Sequence, residues 1–313
     1  MTRHFRPDGA ECASCRRPSR ANLLCCRAVF LGVEIGGTKL QVAVCDHRGH
    51  IRQLVRAAVV RRRGHRGILS QLARIIPPVI AVHRIEAIGV GYGGPVDFPR
   101  GRVVRSFHIA GWDGFDLRRW FERRFAVPTL VENDTNCATL AEALVGAGKG
   151  KRKVFYSNVG TGIGGGLVMD GVLYNGRCGA MEIGHTRFFA HGRWRILEEF
   201  CSGLSIESGK TTLAQSARYY GAALANAITL LNPDVVVIGG GVSLAGEKFL
   251  RPVREQVARL VFRPFRSNFR ILPAALGETV VVVGAVLLVS GTGVSPVGNR
   301  KTGKVRRRRR DPR

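Results

Sequence analysis

The stretch NVGTGIGGG, residues 158–166, decides how the rest of this chain is read. It lies between two apolar runs, Val154–Tyr156 and Leu167–Met169, and the second ends in the turn pair Asp170–Gly171. This order predicts strand, glycine turn, strand, turn. Five glycines within residues 160–166 remove Cβ atoms where backbone N–H groups approach a partner closely. Phosphate oxygens are the usual partner of such a turn. An earlier copy stands at Val33–Glu34–Ile35–Gly36–Gly37–Thr38–Lys39, followed by the alternating run Leu40–Cys45. Each copy alone is equally readable as a tight β-turn. Two copies half a chain apart predict two related lobes gripping one polyphosphate group. Neither is a Walker loop, because no Gly-Lys-Ser/Thr closes it. Neither fits a Rossmann turn, because strand rather than helix pattern follows each.

With 313 residues and 45% hydrophobic content, the chain can bury a sizeable core in two lobes. The formal charge of +27 is unevenly placed. Residues 300–313 carry nine basic residues against Asp311, and residues 1–27 carry six against Asp8 and Glu11, which leaves +15 for the middle. Such a tail attracts polyanions non-specifically. No aromatic residue interleaves with Arg306–Arg310, so it reads as a solvated tail rather than a nucleic-acid site. Of eight cysteines only Cys12 and Cys15 form a CxxC, with Cys25–Cys26 nearby. A zinc ribbon needs a second spaced pair. Scattered cysteines suit a reducing cytoplasm. No signal peptide is visible, and the apolar run Val280–Val289 is too short for a bilayer and predicts a buried helix.

Strand patterns occur at 29–33, 40–45, 51–60, 88–93, 130–131 and 235–238. Helix patterns occur at 68–76, ending at Pro77–Pro78, then after Asp116, and over 134–145, 212–231 and 247–262. Strands alternating with helices imply α/β layers. The expected organisation is a flexible leader (1–28), an N-terminal lobe (29–137), a C-terminal lobe (138–290) whose last helix packs on the first lobe, and a basic disordered tail (291–313).

Glu132–Asn133–Asp134 lies where a strand enters a helix, which is where α/β sheets place ligand groups. Asp134 can take a proton from a hydroxyl that attacks a phosphoryl group, or it can merely cap the helix. Glu182 and His185 stand three apart beside Gly184. They suit bidentate capture of vicinal sugar hydroxyls, or they are a surface acid and a core imidazole.

The order of motifs resembles the ROK family of sugar kinases and repressors over residues 29–290. The motifs are EIGGTK (34–39), GYGGPVD (91–97), ENDTNCATLAE (132–142), GTGIGGG (160–166), EIGH (182–185), LEEFCSG (197–203) and VVVIGGGVS (235–243). The resemblance implies a two-lobed actin/hexokinase-like α/β fold, a duplicated ribonuclease H-like unit, with ATP-Mg²⁺ and a sugar in the cleft. It implies Asp134 as catalytic base and Gly94, Asn133, Glu182, His185 and Glu198 around the sugar. It implies Gly36, Gly37, Thr38, Lys39, Gly160, Thr161, Gly162 and Gly164 at the phosphates, and Gly239, Gly240 and Gly241 by the adenosine. For Lys39 a solvated side chain is the alternative.

Three departures qualify this expectation. The family often holds a structural zinc with a histidine and a CxCGxxGC cluster. The matching stretch here, Phe189–Ile196, has no cysteine, and His185 and His191 cannot supply four tetrahedral ligands. No metal site is therefore expected beyond Mg²⁺ delivered with ATP. Ser202–Gly203 reaches Thr212 almost at once, so part of the second lobe, and of a candidate homodimer surface, is shortened. Residues 1–28 are also too short for the winged-helix domain of family repressors. The expected function is an ATP-dependent, glucokinase-like hexose kinase acting at the 6-OH in the cytoplasm. A catalytically silent sugar-binding regulator is the alternative.

Overall fold

The computed structural model describes residues 28–106, 109–176, 179, 181–190 and 192–291. The leader and tail expected from the sequence lie outside the described residues, except residues 28 and 291, and so does His191.

The chain builds the same sheet twice. β1 (Val29–Ile35), β2 (Lys39–Asp46) and β3 (Ile51–Ala58) form an antiparallel meander. Helix α1 (Gly64–Val82) crosses to β4 (Ile85–Tyr92), which pairs parallel with β1. A small hairpin, β5 (Val96–Asp97) with β6 (Arg102–Val103), and helix α2 (Leu117–Phe125) follow. β7 (Thr129–Asn133) then adds parallel to β4, and α3 (Asp134–Leu144) leaves the sheet. The first sheet thus has the order β3-β2-β1-β4-β7.

The second sheet repeats the scheme. β8 (Lys153–Val159), β9 (Ile163–Met169) and β10 (Val172–Tyr174) form the meander. After the hairpin β11 (Arg187–Ala190) and β12 (Arg193–Ile196) come short helices α4 (Glu198–Cys201) and α5 (Gly203–Glu207) and the long α6 (Leu213–Leu231). β13 (Val235–Gly239), α7 (Glu247–Leu260), β14 (Arg270–Pro273) and α8 (Val280–Val289) complete the order β10-β9-β8-β13-β14.

Local chemistry explains the element ends. Asp116 caps α2 by accepting the N–H of Arg119, and Thr212 with Gln215 forms a capping box on α6. Asn232, in the left-handed region, ends α6. One expectation is corrected. α1 does not stop at Pro77–Pro78 but runs to Val82. Leu72, Ile76 and Val79 keep one buried face on both sides of the proline pair. That continuous burial outweighs the penalty of about 3 kcal/mol that an interior proline imposes.

The two terminal helices of the repeats are exchanged. α3 leaves the first sheet but packs on β8 and β9, while α8 leaves the second sheet and packs on β1 and β4. The helices also pack on each other. The contact is close enough to demand glycine. A Cβ on Gly89 would strike the backbone of Ala285, and one on Gly284 would strike that of Cys137. α8 is apolar all round, and residues 281–288 are buried, as such a helix must be. Among the described residues no helix is long and apolar enough to cross a membrane.

Candidate active site

Asp134 begins α3 at the C-terminal end of β7. Asn133 caps the helix: its Oδ1 accepts the N–H of Asn136 at 3.1 Å, and its Nδ2 donates to the Gly94 carbonyl at 3.1 Å. Two of the five residues assigned to the sugar by resemblance, Gly94 and Asn133, are therefore joined to each other beside Asp134. Asp134 Oδ1 accepts the Thr135 N–H at 2.7 Å. Its Oδ2 points toward Gly93, where even a Cβ would lie 3.4 Å away. Burial raises the Asp134 pKa to about 6 against the hydrogen bonds of Thr135, and the Glu182 charge adds to the rise.

Asp134 lines a cleft of about 420 Å³ together with Glu34, Lys39, Asn158, Gly239–Gly241 and Glu278. The cleft thus collects residues flanking both glycine turns and the loop after β13. Behind Asp134 lies Glu132, a residue to which sequence reasoning gave no role. It is 1% exposed, and it accepts from the N–H of Asn133 (2.7 Å), the amide of Asn136 (3.1 Å) and the amide of Asn175 (3.0 Å). Burial raises its pKa and these three donors oppose the rise. Its carboxylate ties the strand–helix junction to the loop after β10.

In the first hairpin, Gly36 donates to the Lys39 carbonyl at 3.1 Å and Arg61 Nε donates to the Gly37 carbonyl at 2.6 Å. The Lys39 side chain is 41% exposed yet engaged at its tip. Its Nζ lies 3.5 Å from Glu34 Oε1 and donates to the Glu278 carbonyl at 3.2 Å, which Gln41 also reaches at 3.1 Å. Lys39 thereby tethers the first hairpin to the segment before α8. Glu34 was also missed. It is 6% exposed, and its Oε2 has no partner among the described residues. Burial lifts its pKa to about 7, Lys39 opposes the rise and Asp134 adds to it. The available signal was a carboxylate in the otherwise apolar strand VFLGVEI, directly before a glycine turn.

In the second hairpin, Gly160 donates to the Gly162 carbonyl at 2.9 Å. The N–H groups of Gly37, Thr38, Thr161 and Gly162 have no partner among the described residues. They are open donors at the two turn tips. Gly164 differs. Its N–H donates to Asn158 Oδ1 at 2.9 Å, and a Cβ would strike Thr135. Its N–H is thus not among the open donors of the turn, and its missing Cβ lets β9 close on α3. Gly239 and Gly240 abut the Tyr156 hydroxyl and the Val159 backbone, whereas Gly241 faces open space.

Glu198 Oε2 accepts the Ile163 N–H at 2.7 Å, so this carboxylate braces the second turn. Glu182 and His185 flank a single 3-10 turn, with the His185 N–H donating to the Glu182 carbonyl at 3.0 Å. Shielding of the Glu182 carboxyl raises its pKa, His185 opposes this and Glu198 adds to it. Asp134, Glu182, His185 and Glu198 therefore share one electrostatic neighbourhood. The β11–β12 hairpin is held by strand pairing and by an edge contact of Phe189 on Trp194 at 5.7 Å.

Comparison with known proteins agrees with this geometry. A glucokinase of Streptomyces coelicolor is 30% identical over 308 residues, covering 82% of this chain and 95% of the relative. A putative xylose repressor of Caldicellulosiruptor is 25% identical, covering 83% of this chain and 78% of the relative. The crystal structure of a ROK family glucokinase from Streptomyces griseus, in complex with glucose and AMPPNP, is 29% identical with a TM-score of 0.72, covering 83% and 99%. The two-lobed actin/hexokinase-like fold expected from the sequence is the fold observed. The family model for ROK matches residues 30–210 and 204–292, and the chain belongs to the ROK family.

Proposed function

We propose that this protein is an ATP-dependent hexose kinase, glucokinase-like, that phosphorylates the 6-OH of its sugar in the cytoplasm. One observation carries the reading. A shielded carboxylate with a pKa of about 6 lies in a cleft lined by residues that flank two glycine turns, whose tip N–H groups are open. Phosphoryl transfer needs positioning, charge neutralisation and a proton acceptor. The open N–H groups of Gly37, Thr38, Thr161 and Gly162 bind phosphoryl oxygens. Gly241 leaves room for the adenosine. Gly94, Asn133, Glu182 and His185 hold the sugar, and Glu198 acts through the second turn it braces. Thr135 holds Asp134 Oδ1, which leaves Oδ2 to accept the hydroxyl proton. A pKa near neutrality makes that oxygen a stronger base than an ordinary aspartate while keeping it mostly ionised at pH 7.

Mg²⁺ fits this donor set. Glu34 offers a buried carboxylate oxygen without a partner, and Mg²⁺ takes one or two carboxylates plus substrate phosphates. Bound there, the ion would neutralise phosphate charge. A structural zinc would need cysteines that the stretch 189–196 does not contain.

The rival reading, a sugar-binding regulator without turnover, draws on the xylose-repressor relative and the short connection after Gly203. A coupled ADP-release assay over glucose, mannose, fructose and N-acetylated hexosamines separates the two. Sugar-dependent ADP release supports the kinase, and sugar binding without turnover on any hexose supports the regulator.

A further inference from the structure

In each glycine turn, one open tip N–H belongs to a peptide group whose carbonyl is held from behind. In the second turn the Gly160 carbonyl accepts the Gly203 N–H at 2.7 Å, and the N–H of that same peptide is the open donor of Thr161. The approach is close: a Cβ on Gly203 would lie 2.8 Å from the Gly160 oxygen. In the first turn the Gly37 carbonyl accepts Arg61 Nε at 2.6 Å, and the N–H of that peptide is the open donor of Thr38. A planar trans peptide directs its C=O and its N–H to opposite sides. Holding the oxygen therefore fixes where the N–H is presented.

The two clamps differ in kind. Gly203 offers a neutral backbone donor, whereas Arg61 offers a guanidinium. The place of Arg61 is itself fixed. It opens the single 3-10 turn Arg61–Arg63 between β3 and α1. Gln71 of α1 staples this corner, accepting the Val60 N–H at 3.2 Å and donating to the Ala58 carbonyl at 2.8 Å. The Val59 N–H donates to the Thr38 carbonyl at 2.9 Å, so the corner grips the turn at two successive carbonyls. Arg61 makes no ion pair among the described residues, so no carboxylate cancels its charge there. A charge-assisted bond to a carbonyl polarises the peptide and strengthens its N–H as a donor. An anionic oxygen gains most from such a donor.

We propose that Arg61 is a positioning residue for the phosphoryl donor. It acts through the peptide between Gly37 and Thr38, which it locks and polarises so that the Thr38 N–H meets a phosphoryl oxygen. The Gly203 backbone does the same for Thr161 in the other turn. The proposal rests on the kinase reading for the identity of the ligand. Arg61 stands on the carbonyl side of the peptide, away from the phosphoryl group. Donor affinity therefore depends on the bond Arg61 makes, and sugar affinity does not.

The test uses the full-length chain, with AMPPNP plus Mg²⁺ and glucose as calorimetric probes and ADP release over the hexose panel as the kinetic readout. Arg61→Leu removes the bond, and Arg61→Lys keeps a charged donor for a single carbonyl. Arg61 is exposed, and the melting temperature checks that both variants keep the fold. Arg61→Leu should raise the AMPPNP dissociation constant and the KM for ATP about tenfold, as loss of one charge-assisted bond implies, with the glucose dissociation constant unchanged. Arg61→Lys should recover most of that loss. Unaltered AMPPNP binding in Arg61→Leu overturns the proposal, and so does a wild type that binds no AMPPNP. A parallel loss of AMPPNP and glucose affinity also overturns it, because that marks a merely structural tie, as does an Arg61→Lys no better than Arg61→Leu. If binding follows the expected pattern yet no hexose elicits ADP release, the kinase reading falls alone and Arg61 stands as the positioning residue for a bound nucleotide's phosphates.

Discussion

α3 and α8 occupy equivalent places in the two halves of this molecule, each following the last strand of its sheet and packing on the other half. Their contents are opposite. α3 opens with Asp134 and buries Thr135, Asn136, Thr139 and Glu142. α8 buries only Val, Ala, Gly and Leu over residues 281–288. The buried polar groups of α3 are engaged structurally, except that Asn136 Oδ1 has no partner among the described residues. Thr139 bonds the Thr135 carbonyl, and Glu142 accepts the N–H groups of Ala147, Ala275 and Leu276. The difference shows how a duplicated scaffold divides labour. One crossing helix carries the candidate base and ties distant loops through Glu142, and the other is an apolar filler between the sheets.

The comparison breaks most sharply at Asp134. Asp134→Asn should lower kcat by on the order of 10²–10⁴, with sugar affinity by calorimetry retained. Turnover at the wild-type rate would remove Asp134 as the base. The same variant should be more stable than the wild type at pH 8. The folded pKa of about 6 lies above the ordinary aspartate value of 3.8. The stability contributed by this group is therefore full below the unfolded value and lost as pH rises through 6. The gap in melting temperature should close toward pH 4, and a gap that widens there would contradict the assigned shift.

On α8 the effect should be purely one of stability. Leu287 is 1% exposed, and Leu287→Ala should cost about 2–5 kcal/mol in chemical denaturation. The folded fraction should keep its kcat. A large fall in kcat at unchanged stability would mean that α8 shares in the chemistry after all.

The smallest effect is expected from residues 291–313. Deleting them should leave folding and the Michaelis constant for ATP unchanged, because the segment has no apolar periodicity and its like charges repel. Retention on a cation exchanger should fall. A several-fold rise in that constant which vanishes in high salt would show that the tail acts on the donor.

The sequence announced the elements whose signals are local. Both glycine hairpins, the α2 and α6 caps, the long helices and the apolar α8 could all be read from neighbouring residues. The site residues were legible as motifs, but their division of labour was not. That Gly164 packs closely on Thr135 depends on a residue of a different element. Glu198 as a brace, Lys39 as a tether to Glu278 and Glu132 as a junction post all depend on contacts between distant segments. The exchange of α3 and α8 between sheets is likewise a tertiary fact, and so is the survival of α1 through Pro77–Pro78.

The central claim is that Asp134, held with a pKa of about 6, takes the proton of the sugar hydroxyl. The direct test is the pH dependence of kcat/KM for hexose phosphorylation. The base must be ionised, so the rate should be flat above pH 7 and fall about tenfold per unit below a midpoint near 6. That acid limb should be missing from the residual activity of Asp134→Asn. A wild-type rate that stays flat to pH 4.5, or an acid limb that persists in the Asn variant, would contradict it.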